Sequence, residues 1–167
     1  MLLYSDVISG DEMCSDAFPI KVVDDIAFEV DCKMITLEEG NIDIGANPSA
    51  EGGDEGVEST SQTVNNVVHS FRLVETQFDK KSYMTYIKGY MKALKKELEV
   101  TKPERVGAFE KGAASLVKKL LANFKDYEFY TGESMNPDGM VALLNYREDG
   151  VTPYFTFFKD GLKEIKL

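Results

Sequence analysis

Apolar residues recur at three- and four-residue steps along two stretches in the middle of the chain. In the stretch 79–99 they are Tyr83, Ile87, Tyr90, Met91, Leu94 and Leu98. In the following stretch they are Val106, Phe109, Ala113, Leu116, Val117, Leu120, Leu121 and Phe124. This spacing predicts two amphipathic helices, each with one apolar stripe. Between them, Thr101 and Glu104 have capping-box spacing and Pro103 suits a first helical turn, so the second helix is predicted to begin here. The short link predicts an antiparallel helical hairpin.

The segments on either side of this hairpin are rich in β-branched and aromatic residues, which favour strands. Before the hairpin they are LLYSDVI, IAFEV, KMITL and TVNNVVHSFRL, and after it YEFYTG, MVALLNYRE, TPYFTFFKD and LKEIKL. Turn sequences separate the later ones, at NPDG, EDG and KDG. The pattern predicts an α+β fold, a largely antiparallel β body interrupted by the helical hairpin.

The stretch NIDIGANPSAEGGDEGVESTSQT, residues 41–63, is different from both kinds of segment. It is rich in acidic residues, glycine, serine and threonine, and its few apolar residues have no helical or strand period. Such a segment buries too little apolar surface to offset its ordering entropy. The expected organisation is a single domain over 1–167, with a β body at 1–39, 64–78 and 126–167, a mobile acidic loop at 40–63 and the hairpin at 79–125.

Composition excludes several classes of protein. A net charge of −10 disfavours nucleic-acid binding. Cys14 and Cys32 form no CxxC motif, which predicts a reducing cytosol and no zinc site. No apolar run approaches the roughly 18 residues of a membrane span, and the N-terminus lacks the basic region of a signal peptide. We therefore expect a soluble cytoplasmic protein.

The charge is distributed unevenly along the chain. Residues 79–125 contain twelve Lys and Arg against five Asp and Glu, a net charge of +7, and the remainder carries −17. This basic block could bind nucleic acid or an acidic protein surface, or could simply be a solvated helix face. Aromatic residues are not interleaved with the lysines, so base stacking is poorly served. The anionic remainder would also repel a long polyanion. An acidic protein partner is favoured.

Residues typical of catalysis or metal binding are sparse. His69 alternates with apolar residues, which favours a structural role, and the phosphate-loop and nucleophile-elbow motifs are missing from the sequence. We expect no enzymatic activity and no obligatory cofactor. Carboxylates at Asp54, Glu55 and Glu58 are the candidates for a weak calcium site, although no EF-hand pattern occurs and a solvated loop is the competing interpretation.

Several segments, in order along nearly the whole chain, resemble the translationally controlled tumour protein (TCTP) family. IGANPSAE at 44–51 and FYTGESMNPDGMVALLNY at 129–146 are similar to the two family signatures. The signature residues carried over are Ile44, Gly45, Asn47, Pro48, Ser49, Glu51, Gly132 and Glu133. The resemblance implies a β-tent fold, shared with a Rab chaperone, with a projecting hairpin and a mobile acidic loop. The cysteine pairs of that zinc-containing relative are missing here.

The resemblance also implies partners. Members are described as cytoplasmic, partly cytoskeletal proteins that bind tubulin, calcium, translation elongation factors and ribosomes, and contact the small GTPase Rheb. The tubulin-binding region falls on the hairpin, where the candidates are Lys80, Lys81, Lys88, Lys92, Lys95 and Lys96. The proposed GTPase contact matches Glu12. The leading expectation is a non-enzymatic interaction protein linking microtubules and protein synthesis, and the alternative is a regulator of a small GTPase.

Overall fold

A computed structural model describes residues 1–38 and 61–166. The strands are β1 (Leu2–Asp6), β2 (Glu12–Ser15), β3 (Ile20–Val23), β4 (Ala27–Asp31), β5 (Met34–Glu38), β6 (Ser61–Asn65), β7 (Val74–Thr76), β8 (Glu128–Thr131), β9 (Ala142–Tyr146), β10 (Pro153–Phe158) and β11 (Leu162–Lys166). The helices are α1 (Asn66–Phe71), α2 (Lys80–Thr101) and α3 (Val106–Ala122), with short 3-10 helices at Pro103–Arg105, Phe124–Asp126 and Lys159–Gly161.

The strands form three antiparallel sheets. The largest has the order β3-β4-β10-β9-β8-β7, the second has the order β11-β1-β2, and β5 pairs with β6. The α+β prediction with mostly antiparallel strands is confirmed. The sequence had not predicted β2 and β3, because each has only four residues and no clear alternation.

The two long helices bury the stripes that their periodicity predicted. On α2 the buried side chains are Tyr83, Ile87, Tyr90, Leu94 and Leu98, and on α3 they are Phe109, Ala113 and Leu120. The predicted capping box at Thr101 is wrong, because α2 continues through Thr101 and its hydroxyl donates to the Glu97 carbonyl. The capping box lies instead at the start of α2, where Asp79 and Ser82 exchange hydrogen bonds between side chains and backbone.

An aromatic cluster joins α2 to the largest sheet. Tyr83 lies 5.3 Å from Phe129 on β8, and Tyr90 lies 5.7 Å from Phe158 on β10, measured between ring centroids. Phe78, just before α2, packs edge-on against Phe129 at 5.4 Å. Buried aromatic residues contribute large apolar areas, so this contact holds the helix against the sheet along much of its length.

The segment predicted as one strand, TVNNVVHSFRL, contains a strand and a helix. The Asn65 side chain accepts hydrogen bonds from the backbone N–H groups of Val67 and Val68, which starts α1. Arg72 ends it in the left-handed conformation, with φ 54°. His69 lies exposed in the last turn of α1, so the expectation of a packed structural histidine is wrong.

The acidic segment is shorter than predicted. Residues 61–63, assigned to the loop from sequence, belong to β6 and pair in that order with Glu38, Leu37 and Thr36 of β5. The first signature, from Ile44 to Glu51, and the calcium candidates Asp54, Glu55 and Glu58 lie outside the described residues. In the part of the chain that is described, no helix is both long and apolar enough to cross a membrane.

Both cysteines are free thiols in the core. Burial raises the pKa of Cys14 to about 12 and that of Cys32 to about 11. Because the thiolate is the reactive form, we expect iodoacetamide at pH 8 to modify the native protein on the order of a hundred times more slowly than the urea-unfolded protein. Mass spectrometry of timed samples measures this, and a cysteine labelled at the unfolded rate would contradict its buried position.

Candidate interaction surfaces

One side of α2 carries a row of lysines opposite its buried stripe. Lys81, Lys88, Lys92 and Lys96 are spaced by seven, four and four residues, which places them on one side of a helix. All four side chains are exposed, and none forms an ion pair with another described residue. We call these four residues the lysine face.

The other two predicted lysines differ from this face. Lys95 is only half-exposed and forms an ion pair with Glu110 of α3, at 3.1 Å between Nζ and Oε2. Its charge is therefore partly neutralised within the protein. Lys80 is exposed, but it is the first residue of α2 and lies on the side of the helix nearer the buried stripe. The structure thus brings together four of the six lysines predicted from sequence.

Arg105 fastens the link between the two helices to the β body. Its guanidinium donates from Nε and Nη2 to both carboxylate oxygens of Asp160, each at 2.8 Å, and from Nη1 to Asp25 at 2.6 Å. Asp160 is almost fully buried, with 4% of its side chain exposed. Hydrogen bonds to Asp160 and Asp25 raise the pKa of Arg105. The link between the two helices is therefore tied to the β body.

Sequence reasoning missed Arg105, although a signal was present. It is the single arginine among the twelve cations of the basic block. Arginine forms planar two-pronged bonds to carboxylates more readily than lysine does. The other two arginines behave alike: Arg72 pairs with Glu133, and Arg147 pairs with Glu29 and Asp31.

Glu12, the GTPase-contact candidate, begins β2 and is exposed. It lines a shallow polar concavity of 260 Å³, which it shares with Arg72 and Glu133. Glu133 belongs to the second signature, so the structure brings Glu12 next to a segment more than a hundred residues away in sequence. Arg72 and Glu133 are paired at 3.2 Å across this concavity.

The second signature holds the turn between β1 and β2 at one end through Asp11. The backbone N–H and the hydroxyl of Ser134 donate to the Asp11 carboxylate at 3.3 and 2.6 Å. A side chain on Gly132 would meet this carboxylate, since an added Cβ would lie 2.4 Å from Asp11 Oδ2. Gly132 is therefore needed for close approach of the two segments.

Asp6 holds the other end of the same turn. It is 1% exposed and accepts hydrogen bonds from the Ile8 N–H, the Ser9 hydroxyl and the Met140 N–H, at 2.7 to 2.9 Å. An added Cβ on Gly139 would lie 2.8 Å from its carboxylate. In the second signature, Gly132 thus packs against Asp11 and Gly139 packs against Asp6. Nothing in the local sequence of Asp6 or Asp11 indicates these distant partners.

Chemistry that would indicate catalysis is not assembled among the described residues. Within 1–38 and 61–166, no group of three or more His, Cys, Asp or Glu side chains is placed to hold a metal ion. The two thiols have raised pKa values and are buried, and His69 is exposed and remote from them in sequence. What the arrangement offers is a cationic helix face and an exposed carboxylate that follows a tightly held turn.

Comparison with known proteins gives full-length similarity. The family profile described as "Translationally controlled tumour protein" matches residues 1–163. The chain is 67% identical over 167 residues to the "Translationally-controlled tumor protein homolog" of Yarrowia lipolytica, covering 100% of both. It is 66% identical to the homologue of Schizosaccharomyces pombe, covering 99% of both.

Two solved structures are similar over the same length. The S. pombe protein p23fyp has a TM-score of 0.86 at 64% identity, with 100% of both chains covered. The Caenorhabditis elegans protein has a TM-score of 0.73 at 34% identity, with 100% of this chain and 99% of that chain covered.

Proposed function

The chain belongs to the translationally controlled tumour protein family, and from that premise we propose that it is a non-enzymatic interaction protein that binds acidic protein surfaces through its lysine face. Tubulin, whose tails are acidic, is the first proposed partner. Translation elongation factors and the ribosome are further proposed partners, with the cytoplasm and the cytoskeleton as the locations. Weak calcium binding by the acidic segment belongs to the same proposal.

The observation that carries this proposal is the state of the four lysines. Their ammonium groups are exposed and lack an ion-pair partner within the described residues, whereas all three arginines are paired. These ammonium groups repel one another slightly, since Lys88, Lys92 and Lys96 are four residues apart on the helix. An acidic partner surface would relieve that repulsion. Complementary charge raises association rates and selects acidic partners.

Microtubule co-sedimentation at several salt concentrations tests this proposal. We expect binding to weaken roughly tenfold between about 50 and 200 mM NaCl, because exposed charges are screened beyond a Debye length of about 10 Å. Microtubules whose acidic tails have been removed by limited proteolysis are the matched control. They should bind the protein weakly at every salt concentration. Salt-independent binding, or equal binding to microtubules without tails, would remove tubulin tails as the target.

The second candidate function is regulation of a small GTPase, Rheb being the proposed partner. It is favoured by the way the turn before Glu12 is held at Asp6 and Asp11 by the second signature. A held turn fixes the backbone that carries Glu12, so binding needs to order only the side chain, which helps affinity. Such a group could disturb the Mg²⁺ or phosphate of a bound nucleotide.

Release of a mant-labelled nucleotide from Rheb separates the two candidates. If the second candidate is right, the intact protein should accelerate release, and Glu12→Ala should lose most of the acceleration. Glu148→Ala, an exposed glutamate in the turn after β9, is the matched control and should behave as the intact protein. No acceleration by the intact protein would remove this candidate and leave the first one untouched.

A further inference from the structure

A groove of 760 Å³ lies between β7 and the N-terminal half of α2. Its lining is mostly apolar, and it includes no residue of the lysine face or of the Glu12 concavity. Thr85 and Gly89, which line it, lie beside Lys88 on α2, so the lysine face borders the groove. Its size falls within the range of about 300–1,000 Å³ that is common for binding sites. The residues that matter for its use are Val74, Glu75, Thr76, Tyr86, Gly89 and Asp138.

The groove runs along an open strand edge. Val74, Glu75 and Thr76 are consecutive and all line it. Successive side chains of a strand point to opposite faces, so contact with all three places the groove beside the edge of β7. β7 is the last strand of the largest sheet, and no strand of residues 1–38 or 61–166 pairs with its outer side. An open edge is a template for an added strand.

Gly89 forms part of the helix wall of this groove. It lies in the interior of the 22-residue α2, where glycine stabilises a helix less than alanine does. Close packing within the described chain does not require it, because nothing lies within 4 Å of where its Cβ would be. The open space at Gly89 allows an external backbone to approach the helix closely.

The floor of the groove is already ordered. The Tyr86 hydroxyl donates to the Gly139 carbonyl at 2.6 Å and accepts from the Val141 N–H at 3.0 Å. Its ring lies 5.5 Å from that of Phe78, between centroids. A preformed aromatic floor reduces the ordering that binding must impose.

The charge of the lining selects the ligand. Glu75 and Asp138 are exposed carboxylates, and the lining includes no Lys or Arg among the described residues. An acidic segment would be repelled here, whereas a segment with Lys or Arg between apolar residues would be attracted. The lysine face and this groove therefore fit partners of opposite charge.

We propose that this groove binds an extended, basic segment of a partner protein, which adds a strand to the free edge of β7. Its apolar side chains pack on Tyr86 and Phe78, and its Lys or Arg side chains lie near Glu75 and Asp138. The groove shares no residue with the lysine face, so the proposed tubulin binding can fail without removing this proposal.

A pool of octapeptides tests this proposal on the full chain. Each peptide carries Val or Ile at alternate positions and Lys, Arg, Glu or Ser between them. We expect the immobilised protein to retain peptides with Lys and Arg at least tenfold over those with Glu. Amide signals of Val74, Glu75 and Thr76 in the ¹⁵N spectrum should shift on titration with a retained peptide. N-methylation of alternate peptide amides should abolish binding, because it removes the donors of an added strand.

Gly89→Trp fills the groove and should weaken binding of the retained peptide at least tenfold. Gly107→Trp is the matched control, because Gly107 is also a helical glycine with open space around it but lies outside the groove, on α3. It should bind within twofold of the unmodified protein, and circular dichroism should confirm that both variants are folded. Retention without preference for Lys and Arg, equal binding by Gly89→Trp, or no change in the β7 amides would each overturn the proposal.

Discussion

Reversing the charge of Lys88 and Lys92 together, as Lys88→Glu and Lys92→Glu, is expected to abolish microtubule co-sedimentation at low salt. Both side chains are exposed, lie one helical turn apart and have no ion-pair partner among the described residues. Single exposed contacts are worth under about 1 kcal/mol each. The double reversal changes the charge by four units, so that attraction becomes repulsion. We expect binding to weaken at least about tenfold, or ~1.4 kcal/mol.

The matched control has the same net charge as this variant but carries the substitutions on another surface. Lys163 and Lys166 are exposed on β11, so Lys163→Glu with Lys166→Glu alters the total charge equally on the β body. This variant should keep most of its binding, and both variants should retain the native circular-dichroism spectrum. Equal loss in the two variants would show that net charge, and not the lysine face, governs binding.

Asp6→Ala is expected to lower the free energy of unfolding by about 3 kcal/mol, since it leaves buried donors without an acceptor. The Met140 N–H loses its 2.7 Å bond and the turn before β2 loses two further bonds, from Ile8 and Ser9. The same loss detaches the second signature from the turn that precedes Glu12. Urea unfolding followed by circular dichroism measures the change.

Asp16→Ala is the comparison for this effect of burial. Asp16 also accepts a backbone hydrogen bond, from the Leu2 N–H at 3.0 Å, but it is exposed. Water can replace its carboxylate there, so the loss should stay below about 1 kcal/mol. If Asp6→Ala costs no more than Asp16→Ala, the carboxylate of Asp6 is not what joins the signature segment to the turn.

Family membership and the α+β class were both predictable from sequence, and both are confirmed. The helices were predictable because their apolar stripes repeat locally at 3.6 residues per turn, as Tyr83, Ile87 and Tyr90 illustrate. The short strands β2, β3 and β7 and the helix α1 were missed. Such short elements carry too few periods, and α1 depends on the cap that Asn65 provides.

Some features of the candidate sites were also predictable from sequence, and others required the tertiary structure. Helical periodicity alone placed Lys81, Lys88, Lys92 and Lys96 on one side of α2, but the pairing of Lys95 with Glu110 required α3 to be in place. The neighbourhood of Glu12 and Glu133 was not predictable either, because it depends on contacts between Asp11 and Ser134 across 123 residues. The tubulin, calcium and GTPase assignments remain predictions.

By itself, the sequence determined the properties that depend on near neighbours: the two amphipathic helices, the uneven charge and the family signatures. Periodicity and composition are local, so they can be read without coordinates. Only the tertiary structure decided how Arg105 ties the helix pair down and why Gly132 and Gly139 lack side chains. It also decided that no strand from 1–38 or 61–166 pairs with the outer side of β7, beside Gly89. Each of these depends on contacts between segments that are distant in sequence, and those contacts are determined by the packing of the whole chain.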